Sequence, residues 1–293
     1  MNLEQYRIFY SVATHKSISK AAETLYITQP AVSKSIRKLE EELGCILFER
    51  TPKGVHLTSE GTVLYQYIEQ ALNFIKTGEK KIDDIKNLLS GEVRIGVSDT
   101  LCKYYLVPYL KKFNTLHPEI KIKVTCPTTP GIINLLKNGK IDFGIINMPY
   151  TDDNLNFKSV MEVQDCFVAG EKYKHLSKTK QPLDTIAKQP LLLLEKNSNS
   201  RIYMDKYFLD NSVSIIPDFE LGNIDLLVHF AKNDFGIACV IKNFVKEDIS
   251  KGHLYEIKPI EKMPPRSIGI AWLKNVLLSK ASNEIINLFD KKI

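Results

Sequence analysis

The stretch from Ser17 to Arg50, SISKAAETLYITQPAVSKSIRKLEEELGCILFER, decides how the rest of the chain is read. It holds two helical patterns separated by a short turn, Tyr26-Ile27-Thr28. Ser17 opens the first, in which the small side chains of Ala21 and Ala22, followed by Leu25, let another helix approach closely. The second has Thr28 placed as N-cap and Pro30 in the first turn, where a missing backbone N–H costs nothing. Its apolar residues Val32, Ile36, Leu39 and Leu43 fall at i, i+4, i+7 and i+11, one buried stripe of a helix. Gly44 then stands at the position after the last turn, where a left-handed residue ends a helix.

At roughly 100° per residue, Pro30, Ser33, Lys34 and Arg37 gather on the face opposite Val32 and Ile36. Short polar and cationic groups near a helix N-terminus suit the major groove of DNA, cations meeting phosphates and polar side chains reaching base edges. A helix, a tight turn and such a helix make a helix-turn-helix over residues 18–37. The plainer reading is the solvated face of an ordinary pair of helices.

Working outward, Leu3, Tyr6, Phe9 or Tyr10, and Ala13 give an apolar face to a supporting helix before the pair. After Gly44, Ile46–Arg50 and Val55–Leu57 flank Thr51-Pro52-Lys53-Gly54, a hairpin with turn chemistry, so the motif is winged. Arg50 and Lys53 on that wing are candidates for the DNA backbone or minor groove, or simple surface charge.

Ala21-Ala22-Glu23-x-Leu25, Thr28-Gln29-Pro30-Ala31-Val32-Ser33, Ile36-x-x-Leu39-Glu40, Leu43-Gly44, Leu47-Phe48-x-Arg50 and Leu57-Thr58-x-x-Gly61 together resemble the N-terminal signature of LysR-type transcriptional regulators. The match is continuous over about sixty residues. The resemblance implies double-stranded promoter DNA as a partner. It adds Thr28 and Gln29 to the candidate contacts, beside Pro30, Ser33, Lys34, Arg37, Arg50 and Lys53.

Beyond the winged segment, 1–58, a second pattern begins. Thr58 can cap a helix in which Leu64, Ile68, Ala71, Ile75, Gly78, Ile82, Ile85 and Leu89 repeat with 4-3-4-3 spacing. That is a heptad seam, and it predicts a linker and dimerisation helix over 59–90. A helix of about thirty residues reaches roughly 45 Å, too far for a sixty-residue domain to cover. The family uses this helix in the same way, and the resemblance implies a homotetramer built from such dimers.

From Ser90-Gly91 onward the pattern changes again, to strands alternating with helices, which means parallel strands with crossover helices. Strands are expected at Val93–Val97, Ile120–Val124 and Ile141–Ile146, with helices at Val107–Leu116 and Ile132–Leu136. A second run follows, from Cys166 to Val240, and Ile268–Trp272 with a last helix Ser279–Phe289 closes the chain. The resemblance implies a two-lobed effector domain like that of periplasmic binding proteins, spanning 91–293. Lobe I would be 91–162 and 267–293, lobe II 163–266. The fold class expected is therefore α/β, with an N-terminal all-α winged helix-turn-helix and a long linker helix.

Ligands in such folds bind at the carboxyl ends of strands, against helix N-termini. Ser98 and Thr100, Thr128 and Thr129, Asn147, and Ser198, Ser200 and Arg201 stand at such positions. Hydroxyls, amides, free N–H groups and one arginine suit a small organic anion or amino-acid-like metabolite. Asp99 would repel an anion if it pointed inward. The alternative for these Ser, Thr and Asn residues is capping alone.

Composition bounds the rest. With 293 residues, 44% hydrophobic and 25% charged, the chain reads as a globular protein of two or three domains. Net charge is +6, yet residues 1–89 hold 12 basic and 11 acidic side chains, so DNA affinity must come from local placement of charge. No apolar run reaches a membrane span and the first residues lack a signal-peptide layout, so a cytoplasmic location is expected. The five cysteines include no C-x-x-C pair, and the six histidines have no metal-ligand spacing. No cofactor, metal or oxidant-switched cysteine pair is expected. Cys102, following the Ser98–Thr100 segment, is the thiol to watch. No nucleophile–base pair can be assembled, so the chain is not read as an enzyme. A solute-binding protein or an α/β enzyme using the C-terminal part are the rival readings.

Overall fold

The computed structural model describes residues 2–51, 54–86 and 91–290. The chain divides into two compact units, Met1–Lys86 and Asn87–Ile293.

In the first unit, α1 (Leu3–His15), α2 (Ile18–Leu25) and α3 (Gln29–Leu43) precede a hairpin of β1 (Phe48–Thr51) and β2 (Gly54–Leu57), then α4 (Ser59–Lys86). The expected caps form: Ser17 Oγ accepts the N–H of Lys20, Thr28 Oγ1 that of Ala31, and Gly44 ends α3 at φ +68°. The core is Ile8, Phe9, Val12, Ala21, Ala22, Val32, Ile36, Leu39 and Leu47. Two sequence expectations need correcting. Leu43 is 43% exposed, because the stripe outruns the helices it packs on. Leu3 is exposed as well, and α1 is apolar on two faces. Ile8, Phe9 and Val12 enter the core, while Tyr10 stacks on Tyr65 of α4 at 5.3 Å between ring centroids.

The polar residues of the signature have physical jobs here. Glu40 Oε1 accepts the backbone N–H groups of Leu47 (2.8 Å) and Phe48 (3.3 Å), fixing the wing to α3. Thr58 donates to the carbonyl of Ile46 and accepts from the N–H of Gly61. At Gly61 a Cβ would lie 2.1 Å from the carbonyl oxygen of Leu47, so only glycine fits.

The heptad seam is partly reassigned. Leu64 and Ile68 pack on the winged core, alongside Tyr65, because the first turns of α4 run against α1. Ala71, Ile75 and Ile82 are exposed, the two isoleucines at 42% and 55%. The side chain of Ile85, and Leu89 as a whole, lie outside the described residues, as do Lys53 and the side chain of Arg50.

The second unit has two five-stranded sheets. The chain order is β3 (Gly91–Val97), α5 (Asp99–Leu101), a π-helical turn (Cys102–Leu106), α6 (Val107–Leu116), β4 (Ile120–Thr125), α7 (Thr129–Lys137), β5 (Phe143–Asn147) and β6 (Leu155–Val163). The chain then enters lobe II with β7 (Asp165–Ala169), α8 (Leu183–Ala187), β8 (Leu191–Leu194), α9 (Asn199–Asp210), β9 (Phe219–Leu221), α10 (Ile224–Lys232), β10 (Ile237–Ile241), α11 (Lys242–Ser250) and β11 (Tyr255–Ile257). It returns through β12 (Arg266–Leu273) to α12 (Lys280–Leu288). Lobe I has strand order β4-β3-β5-β12-β6 and lobe II β11-β7-β10-β8-β9. β3 pairs parallel with β4 and β5, and β8 with β9 and β10, as the alternating pattern required. β6 is a strand the sequence reading left out: an edge strand pairing antiparallel with β12, half-buried and interrupted by polar residues.

Two strands carry the chain between lobes, β7 outward and β12 back. Asp165 opens the first and Arg266 the second. Their side chains form a buried bidentate pair, Nε to Oδ2 at 2.5 Å and Nη2 to Oδ1 at 2.8 Å, with 1% and 4% of the Arg266 and Asp165 side chains exposed.

Candidate functional site: the α3 face and the interlobe cleft

On α3, Thr28, Gln29, Pro30, Lys34 and Arg37 are exposed and Ser33 is half-buried, all away from the Val32–Ile36–Leu39 stripe. Ser19 Oγ donates to Gln29 Oε1 at 3.4 Å, tying the N-terminus of α3 to α2. Arg37 Nε pairs with Glu41 Oε1 at 3.1 Å, but both side chains are largely in water, where such a pair is weak and easily exchanged for a phosphate. Lys34 makes no ion pair among the described residues. Tyr26, which sequence reasoning treated only as part of the turn, is 96% exposed and left-handed at φ +56°. Its backbone N–H caps α2, so the ring projects beside the start of α3 at a position glycine would occupy more cheaply.

In the second unit the carboxyl ends of β3, β4, β5 and β8 converge on one cleft. It holds about 610 Å³ of space open to solvent and is lined by residues from both lobes. Ser98, Thr100, Thr128, Thr129, Asn147, Ser198 and Ser200 all line it. Their states differ. Ser98 and Ser198 cap α5 and α9, accepting the N–H groups of Leu101 and Arg201, so the capping reading holds for these two. The hydroxyls of Thr100, Thr128, Thr129 and Ser200 have no hydrogen-bond partner among the described residues. Thr129 is only 4% exposed, and Asn147, at 9%, has a buried Oδ1 without a partner.

Arg201, expected as a counter-charge, does not line the cleft and does not serve as one. The side chain is 4% exposed and turns back into lobe II. Nε meets Asp205 Oδ1 at 2.7 Å, and Nη1 meets the Leu194 carbonyl at 2.9 Å and Glu220 Oε1 at 3.2 Å. The i,i+4 carboxylate on its own helix and the acid on β9 outcompete an open cleft for the guanidinium.

The structure adds residues that sequence reasoning passed over. Asn199, in the first turn of α9, donates from Nδ2 to the backbone oxygen of Asn147 and so joins the lobes. Asn223 caps α10 at the cleft wall. At the edge, Lys103 Nζ and the Tyr104 hydroxyl, both in lobe I, reach Asp225 Oδ1 of α10 at 2.8 and 2.7 Å. The Tyr104 ring stacks on Phe244 of α11. Asn199 was legible as part of a polar run before a helix. The Asp225 contact joins residues more than a hundred positions apart, and no local signal announces it.

Electrostatically the cleft is unusual. Among its lining residues Asp99 is the one charged side chain, and no Lys, Arg or His lines it. Cys126, after β4, also lines it. Burial pushes the Cys126 thiol up to about 11, assisted by adjacent Cys102 and Asp99. No group of three or more potential metal ligands occurs among the described residues.

Comparison with known proteins agrees with this architecture. A family description of the LysR substrate binding domain matches residues 86–292, and one of bacterial regulatory helix-turn-helix proteins of the lysR family matches residues 3–62. The chain is 28% identical to the HTH-type transcriptional regulator CbbR of Rhodospirillum rubrum, over 90% of this chain and 87% of that protein. It is 25% identical to the HTH-type transcriptional regulator CysL of Bacillus subtilis, covering 83% and 81%. Among solved structures, full-length OxyR from Pseudomonas aeruginosa superposes with a TM-score of 0.69 at 20% identity, covering 99% and 94%. CbnR, a LysR family regulator also solved with its target DNA, matches at 0.67 and 15% identity over all of both chains. With the winged helix-turn-helix at one end and the two-lobed cleft domain matched over most of its length, the chain belongs to the LysR family of DNA-binding transcriptional regulators.

Proposed function

We propose that α3 reads promoter DNA through Gln29, Ser33, Lys34 and Arg37, with Thr28 and Pro30 at the phosphate backbone and the wing residues Arg50 and Lys53 beside it. The cleft of the second unit takes a small organic anion or amino-acid-like metabolite, and that ligand sets the protein's response at the promoter. The observation that carries this reading is the convergence on one cleft of helix N-termini and four hydroxyls that have no partner among the described residues. Partial positive charge from the first turns of α7 and α9 gathers there, as a carboxylate requires.

A ligand shifts the balance of lobe arrangements only if it favours one of them. Asn199 and Asp225, which join the lobes, are placed to register that preference. The exposed Ile75 and Ile82 on α4 would be covered by the same helix of a second copy, giving a dimer that spans two half-sites; pairing of such dimers would give the tetramer the family resemblance implies. No helix among the described residues is long and apolar enough to cross a membrane, consistent with action on DNA in the cytoplasm. The relatives are transcription regulators, and no catalytic role is assigned. The reading is tested by calorimetry of metabolites on the wild type and on Thr129→Val with Ser200→Ala. Loss of affinity in the variant is expected, and unchanged affinity would return those hydroxyls to a purely local role.

A further inference from the structure

We infer that the cleft ligand is a zwitterion, an amino acid, whose ammonium group sits against Asp99 and whose carboxylate lies at the first turns of α7 and α9. The inference rests on the reading of the cleft as the effector site and narrows its ligand class.

The cleft presents two kinds of chemistry. Donors stand on both walls: the hydroxyl of Thr129 in lobe I and that of Ser200 in lobe II, at the N-termini of helices of nine and twelve residues. These are donors to an anion. The same cleft holds two acceptors with capacity to spare: the exposed carboxylate of Asp99, which the Cys126 thiol also reaches, and Oδ1 of Asn147, a residue nine-tenths buried whose Oδ1 has no partner among the described residues. A ligand with a carboxylate alone would leave Oδ1 of Asn147 unpaired and place its charge in a cleft whose one formal charge is negative. Arg201, which could have balanced a second anion, is held by Asp205, Glu220 and Leu194. An ammonium group supplies three N–H donors and one positive charge, which both acceptors can take up. The charge sum of cleft and bound zwitterion is then no greater than that of the empty cleft.

The test is calorimetry on the full chain with the standard amino acids as probes. Each is paired with its carboxylic acid lacking the amine and its amine lacking the carboxylate. At least one amino acid should bind, with both partial analogues weaker. Asp99→Asn, an isosteric change at an exposed residue, should weaken that amino acid on the order of 10- to 100-fold, the range for a hydrogen bond to a charged group. Preference for the amine-free acid, or equal affinity in Asp99→Asn, would overturn the zwitterion while leaving the cleft as an anion site. Binding by none of the amino acids would overturn it as well. In that case the Thr129 and Ser200 variants, assayed on promoter response, still judge the cleft separately.

Discussion

Removing Asp165 strands a buried cation at the hinge. The Arg266 side chain is 1% exposed, and two of its nitrogens are bound by the Asp165 carboxylate. Nη1 already lacks a partner among the described residues, and the guanidinium lies over the Tyr203 ring at 5.2 Å. Breaking one side of such a pair costs about 3–5 kcal/mol, because the remaining charge stays desolvated. For a unit of about two hundred residues that lowers the melting temperature by roughly 6–20 °C, at some 2–4 °C per kcal/mol. The assay is thermal and urea unfolding of Asp165→Ala, Arg266→Met and the double variant Asp165→Leu with Arg266→Met. Each single change should fall in that range, and the double change should recover much of the loss, since an apolar pair of similar volume is nearly neutral. A single-variant loss below about 1 kcal/mol, or losses that simply add, would refute the claim that this pair fixes the two crossover strands.

Ile75→Asp and Ile82→Asp, at exposed seam positions, should separate dimers without unfolding the winged unit; sedimentation showing intact dimers in both would remove the seam. Ile68→Asp, by contrast, should lower the melting temperature of the winged unit itself, since Ile68 packs on its core. Burial raises the Asp225 carboxyl, but hydrogen bonds from Lys103 and Tyr104 outweigh it and hold the group below its ordinary value. The stabilisation this contact gives is therefore present above the ordinary carboxylate range and lost as pH falls through the lower native value. Lys103→Ala should flatten the acid limb of the melting profile, and an unchanged limb would dismiss the contact. Burial raises the thiol of Cys126 to about 11 and raises those of Cys166 and Cys239 as well, so these three are rarely thiolates at neutral pH. Peroxide should leave promoter binding unchanged, and a response abolished by Cys126→Ser would contradict this.

The winged unit was legible because its information is local. Caps, a turn, a stripe and a glycine forced by Leu47 all lie within sixty residues. The parallel strands were legible for the same reason, each bounded by turns and all but β5 followed by a helix. What escaped the sequence depended on distant partners. Leu64 and Ile68 repeat as a seam, yet the neighbour that buries them is α1. Arg201 stands at a helix N-terminus, as a ligand residue would, but Asp205 and Glu220 claim it. Cys102 and Cys126 are adjacent only because β3 and β4 pair in parallel, bringing their ends together. β6 was missed because an edge strand, solvated on one side, carries too weak an alternation.

The most direct test of the account is a footprinting titration on the promoter DNA, with and without the cleft ligand. It compares the wild type, Arg37→Ala, and Thr129→Val with Ser200→Ala. Arg37→Ala should lose about 1–3 kcal/mol of DNA affinity under both conditions, the worth of a base-reading side chain. The cleft variant should keep the ligand-free footprint and lose the change that the ligand brings. An unaltered affinity for Arg37→Ala together with a full ligand response in the cleft variant would contradict both assignments at once.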